Sequence, residues 1–149
     1  MTTEKYLRRL SWLANTITSR SERITLGRAR ATNMVVPTDN MPVQTSPKDK
    51  LCEIMSEVAD LDTELQRYKA EYRRIMSQVD SLSGIYSAAY IFRYYVRGQT
   101  INEIASEMHV SRSTVYRIQH DALAEFEEKY GECYQDIKSY EHLEHFETQ

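Results

Sequence analysis

From Leu51 to Val79 the chain places an apolar or tyrosine side chain at alternating steps of three and four without a break: Leu51, Ile54, Val58, Leu61, Leu65, Tyr68, Tyr72, Ile75 and Val79. On a helix these positions form one narrow stripe about four heptads long, a coiled-coil-like seam that another helix must cover. Ser46-Pro47-Lys48-Asp49 supplies the start: a capping serine, a proline preset for the first helical position and an aspartate facing the positive end of the helix dipole. At 1.5 Å per residue such a helix runs about 50 Å. Its nearest partner in the sequence is the N-terminal segment, folded back antiparallel.

That segment reads as a helix over 3–26, with Tyr6, Leu10, Leu13 and Ile17 on one face and Arg8, Arg9, Arg20 and Arg23 largely off it. Gly27 and the prolines at 37 and 42 mark residues 27–46 as a long loop. The three prolines all fall at 37, 42 and 47, so the rest of the chain is free to be helical. The expected class is all-α: an antiparallel helical hairpin over 1–80 serving as spacer or oligomerisation element, then a second helical domain over 81–130 and an acidic, aromatic tail over 131–149. In the second domain, Ser81-Leu82-Ser83-Gly84 breaks the chain. Leu82, Ile85, Ala89, Phe92 and Val96 then predict the buried face of a helix ended by Gly98.

The net charge of −3 is unevenly spread. Residues 1–50 hold nine Lys/Arg against four Asp/Glu, 51–98 six against seven, 99–120 two against two, and 121–149 two against nine. No apolar run approaches the roughly 20 residues of a membrane span, and charges interrupt the N-terminal segment where a signal peptide would be apolar. Cys52 and Cys133 match no ligand or redox spacing, which points to a reducing, cytoplasmic setting with both thiols free. Gly-rich phosphate loops, nucleophile elbows and paired carboxylates with a base are lacking, so neither an enzyme nor a cofactor is expected. His142, His145 and Cys133 fall short of a zinc ligand set.

The stretch with most chemical content is QTINEIASEMHVSRSTVYRIQHDAL. Thr100-Ile101-Asn102-Glu103 has the form of a capping box. Ile104, Ala105 and Met108 form the inner face of a two-turn helix, with the small Ala105 where a second helix must come close. His109-Val110 makes a turn with Val110 as apolar plug, and Ser111 caps a second helix whose inner face is Val115, Ile118 and Ala122. This is the pattern of a helix-turn-helix, with His109 where glycine is commoner. The outward residues Arg112, Ser113, Tyr116, Arg117 and His120 would enter the major groove of double-stranded DNA. Arg112 and Arg117 suit guanine edges, while Ser113 and Thr114 suit phosphates or bases. The helix start at Ser111 offers free backbone N–H groups to a phosphate. Thr100, Arg93, Tyr94 and Arg97 complete the expected contact set along the DNA backbone.

The stretch YYVRGQTINEIASEMHVSRSTVYRIQHDALAEF resembles region 4 of bacterial sigma factors, a module that binds promoter DNA near the −35 element; the likeness covers residues 82–128. The layout of the whole chain, with the loop VPTDNMPVQTSPKDKL before its long helix, is similar to small phage proteins of the RinA and ArpU type. That resemblance implies a transcription regulator of phage or prophage late genes, generally an activator. The expected partners are promoter or operator DNA and a second copy of the chain, a dimer being favoured. Tyr134, Ile137, Tyr140 and Leu143 among carboxylates form a face that either covers the core or docks RNA polymerase. The rival readings are a DNA-packaging adaptor resembling the small terminase subunit and an interaction protein that binds a host factor.

Overall fold

A computed structural model describes residues 1–34 and 47–135 of the 149-residue chain. The described residues form α1 (Thr3–Met34), α2 (Pro47–Asp80), α3 (Ser87–Ile91) continuing into a π-helical segment (Phe92–Val96), α4 (Ile101–Met108) and α5 (Arg112–Gln135). No strand occurs among them. The chain is all-α, a helical hairpin followed by a helix-turn-helix.

Two compact units are resolved by their internal packing. One is Leu13–Glu71, the distal part of the hairpin. Ile24, Ala31, Ile54, Val58, Leu61 and Leu65 form its core, with Ile17 and Leu51 against them. The seam read from the sequence is therefore the buried one. Arg20 faces Glu64 at 3.5 Å and Arg23 faces Glu57 at 3.7 Å: as numbers rise along α1 they fall along α2, so the two run antiparallel. These pairs, one exposed and one half-buried, each contribute on the order of 1 kcal/mol, and burial of the seam holds the unit together.

The first helix is longer than expected. Residues 27–34, assigned from the sequence to a loop, extend α1 to Met34; residues 35–46 of that loop lie outside the described residues. Gly27 is the reason for the error. It reads as a breaker, yet the hairpin helices approach closely there: a Cβ built on it would stand 2.6 Å from Cγ2 of Val58.

The other unit joins Met1–Trp12 to the chain from Tyr72 onward. Its centre is aromatic. The Tyr6 ring stacks on Tyr134 at 4.6 Å between centroids and lies 5.9 Å from Phe126. Thr3 Oγ1 and the Tyr134 hydroxyl are hydrogen-bonded at 2.7 Å, and the Tyr6 hydroxyl donates to Gln78 Oε1 at 2.8 Å. The starts of α1, the end of α2 and the end of α5 are thus tied together. The described part of this unit joins residues 1–12 to 72–135. Tyr134, read from the sequence as part of a face that either covers the core or docks a partner, is 1% exposed within α5. Ile137, Tyr140, His142, Leu143 and His145 lie outside the described residues.

The turn from α2 to α3 is clamped by α5. The Ser83 N–H donates to Glu125 Oε1 at 2.7 Å, Lys129 bonds the same oxygen at 3.0 Å and also donates to the Ser81 carbonyl at 3.1 Å, and the Ser81 and Tyr130 hydroxyls bond each other. The helix that follows corrects the sequence reading. Ser87, Tyr90, Ile91 and Tyr95 are buried, whereas Ile85 is 90% exposed and Ala89 is exposed. Both stripes have helical spacing, and the one bearing two tyrosines and an isoleucine removes more apolar surface from water. The π-helical turn, closed by Arg97 N–H to Phe92 O at 3.1 Å, adds one residue to the turn and lets Tyr95 follow Ile91 on the inner side.

Gly27→Ala should lower the unfolding free energy by about 1 kcal/mol. The overpacking against a stiff valine costs roughly 1–3 kcal/mol, and the better helix propensity of alanine returns about 1 kcal/mol. Urea titration of both forms measures the difference, and a stabilised variant would show that the helices do not meet at Gly27.

Candidate nucleic-acid interface

The interface is built from α4, its turn and the first three turns of α5. Thr100 is extended (φ −75, ψ 163) and its Oγ1 accepts from the Glu103 N–H at 3.3 Å, which caps α4 as the sequence suggests. Ile104 and Ala105 are buried and Met108 is half-buried. Gly98 takes the left-handed conformation (φ 67) before the cap, with the Gln99 N–H donating to the Arg93 carbonyl at 3.0 Å.

His109 ends α4 in the left-handed region at φ 56, ψ 41. Its N–H donates to Ser106 O at 3.3 Å, and that of Val110 to Ala105 O at 3.0 Å. The backbone therefore turns as a glycine would allow, with a histidine in place. Ser111 Oγ then accepts from the Thr114 N–H at 3.2 Å and caps α5. The Ser111 hydroxyl also lies 2.8 Å from Thr114 Oγ1 and 3.2 Å from Ser113 Oγ, so three hydroxyls gather where the first N–H groups of α5 are unpaired.

Val115 and Ala122 are fully buried, and Val110 and Ile118 are half-buried. The opposite side of α5 carries Arg112, Ser113, Tyr116, Arg117 and His120, all exposed; Thr114 is half-buried beside Ser111. Among the described residues Arg112 and Arg117 make no ion pair, which leaves two guanidinium groups on one helical face. His120 Nδ1 stands 3.6 Å from Asp121 Oδ1, and the residue shares a groove with Thr2, Glu4 and Glu127.

Of the residues expected to flank this face, Arg97 is exposed with its guanidinium 5.2 Å from the Phe92 ring centre. Tyr94 stacks on Tyr90 at 5.6 Å and meets Tyr95 edge-on at 4.9 Å. Tyr86 is 47% exposed, while Tyr90 and Tyr95 are buried. The Tyr90 hydroxyl has no hydrogen-bond partner among the described residues. Burial, reinforced by Tyr95 and Tyr94, pushes its ionisation well above the usual phenol range, and burial pushes Tyr95 up to about 12. Both are packing groups at neutral pH. Arg93 is engaged by Glu107. Glu107 is a residue that sequence reading passed over, because no spacing rule relates positions 93, 99 and 107. Among the described residues, no group of three or more His, Cys, Asp or Glu side chains could hold a metal ion, and no helix is long and apolar enough to cross a membrane.

Helix, left-handed turn, capped second helix and a free polar face define a helix-turn-helix. Residues 83–122 match the family model described as the helix-turn-helix domain of resolvase. That span opens at Ser83, where Glu125 clamps the turn, and closes at the buried Ala122. No curated protein and no solved structure matches the chain. The match supports a DNA-binding module in this part of the chain.

His109→Gly should raise stability by roughly 0.5–1 kcal/mol: the left-handed conformation costs an L residue about 1–2 kcal/mol, and glycine returns part of that through the freedom it has when unfolded. A higher denaturant midpoint checks this, and an unchanged or lower one would mean that the histidine side chain contributes more than its backbone costs. Glu125 yields a pH signature. The Ser83 backbone N–H, then Lys129 and the Ser83 hydroxyl, lower its pKa from 4.5 to about 2. Its contribution is complete above about 4.5 and disappears as pH falls through about 2. Melting temperatures of wild type and Glu125→Gln should therefore converge over that interval; a gap of constant size between pH 6 and 2 would show that the clamp does not hold the carboxylate.

Proposed function

We propose that this chain binds double-stranded DNA at a promoter or operator through the outward face of Ser111–His120 and regulates transcription of phage or prophage late genes, acting as a dimer. The observation that carries the DNA contact is the exposure of Arg112, Ser113, Tyr116, Arg117 and His120 on one face of α5 while Val115 and Ala122 are buried behind it. Such a helix can lie in the major groove with its first residues at base edges. Arg112 and Arg117 read guanines; Ser111, Ser113 and Thr114 meet phosphate at the helix start; Thr100, Arg97 and Tyr94 lie along the backbone. The likeness to RinA and ArpU proteins and to sigma region 4 supports the regulatory role. It also implies RNA polymerase as protein partner and a bacterial cytoplasm as setting.

The long hairpin of α1 and α2 also favours a second reading, a DNA-packaging adaptor, because oligomerising helices joined to a helix-turn-helix serve that task too. Sedimentation separates the two: a large closed ring sinks the regulatory reading, and a dimer sinks the packaging one. Footprinting the purified chain across phage regulatory DNA locates the site. On that site Arg117→Ala is expected to cost about 1–3 kcal/mol, with little change on random duplex. An equal loss on both in gel-shift titrations at fixed salt would make Arg117 a phosphate contact and withdraw its base-reading role.

A further inference from the structure

Arg93 stands apart from the other arginines expected on the DNA side. Arg112 and Arg117 make no ion pair among the described residues, and Arg97 is exposed beside the Phe92 ring. The Arg93 side chain, only 26% exposed, points its guanidinium into the Glu107 carboxylate. Gln99 Nε2 donates to both oxygens of that carboxylate, at 3.2 and 3.1 Å. One acidic side chain on α4 therefore gathers the π-helical segment and the link before the Thr100 cap.

The geometry points to Glu107 as a built-in brake on sequence-independent DNA binding: its carboxylate occupies Arg93 in the place a phosphate would take. This deepens the DNA-binding reading above and rests on it. An arginine that pairs with phosphate releases condensed counterions and strengthens binding to any sequence. Glu107 opposes that twice. It uses the donors of Arg93, and as an acceptor-only group it repels a phosphate approaching the same guanidinium. Gln99 also donates to this carboxylate, so its orientation does not depend on Arg93 alone. The charge on this part of the surface is cancelled locally, and phosphate contact is left to residues without an acidic neighbour.

The test measures binding of the full chain and its variants to a random-sequence duplex from 50 to 200 mM salt. Glu107→Gln is expected to steepen the slope of log affinity against log salt by about 0.9, one added phosphate contact, so that affinity falls about 3.5-fold further over that range than in wild type. The double variant Glu107→Gln with Arg93→Gln should return to the wild-type slope, and Arg93→Gln alone should leave that slope unchanged. An unaltered slope in a Glu107→Gln protein that melts like wild type overturns the inference. So does a slope flattened by about one unit in Arg93→Gln alone, an outcome that decides the matter even if Glu107→Gln fails to fold. Wild type that ignores duplex DNA at low salt removes the DNA-binding reading itself, and the brake with it.

Discussion

The rest of this structure depends on the stack of Tyr6 on Tyr134, with Phe126 beside it. The helix-turn-helix match spans residues 83–122, and a unit of that size buries too little apolar surface to be stable alone. Its shortage is met from both ends of the chain. Tyr6, Leu7 and Leu10 come from the first helix, Ile75 and Val79 from the second, and Tyr134 from the far end of the fifth, all nearly or fully buried. A single buried aromatic of this kind contributes about 1.5–3 kcal/mol, a large part of the stability of an ordinary domain. The hydroxyls of Tyr6 and Tyr134 end on Gln78 and Thr3, so the rings are buried without stranding their polar ends.

That arrangement bears on how the interface is positioned. The fifth helix is one continuous element of 24 residues, from Arg112 to Gln135. Its last turns are held by the aromatic cluster and by the Glu125–Ser83 clamp, and its first turns carry the outward arginines. Nothing on the exposed face has to hold the helix in place, which frees that face for recognition. The left-handed His109 is the one position in the turn where backbone conformation and residue type disagree. It is tolerated because the α4 cap, the buried Ile104 and Ala105, and the Ser111 cap fix the chain on both sides of it.

Much of this was legible in the sequence because it rests on local rules. The seam from Leu51 to Val79, the caps at Thr100 and Ser111, the turn at His109 and the outward set on α5 all follow from spacing over a few residues. The failures share a different origin. Gly27 looks like a helix breaker unless the facing Val58 is known. Ile85 and Ala89 form as regular a stripe as Tyr90, Ile91 and Tyr95, and only the partner surface decides which one faces inward. Tyr134 sits among carboxylates that fit either a core-covering helix or a docking face, and only Tyr6 against it decides between them. In each case the deciding neighbour lies more than thirty residues away or across a turn, where periodicity carries no information. Glu107 belongs to the same group, since Arg93 is fourteen residues from it and reaches it around a cap.

An acidic chain repels a polyanion overall, and on the proposed function this needs a physical answer. Several of the carboxylates are set back along the axis of α5. Arg117 and Glu128 are eleven residues apart, about 16 Å at helical rise, beyond the roughly 8–10 Å over which charges are felt at ordinary salt. Glu128 and Glu132 can therefore sit on the same helix without weakening contact at its start. Nearer acids surround His120: Asp121 stands within 3.6 Å of it, and Glu4 and Glu127 share its groove. Glu107, beside Arg93, is positioned by two donors instead of being left to solvent. If screening alone governed this surface, the position of an acid next to Arg93 would be of no consequence; because the pair is within contact distance and partly shielded from water, salt does not erase it. On the proposed reading, acids distant from the interface are screened from it, and Glu107 beside Arg93 is the acid that limits how many of the arginines can act.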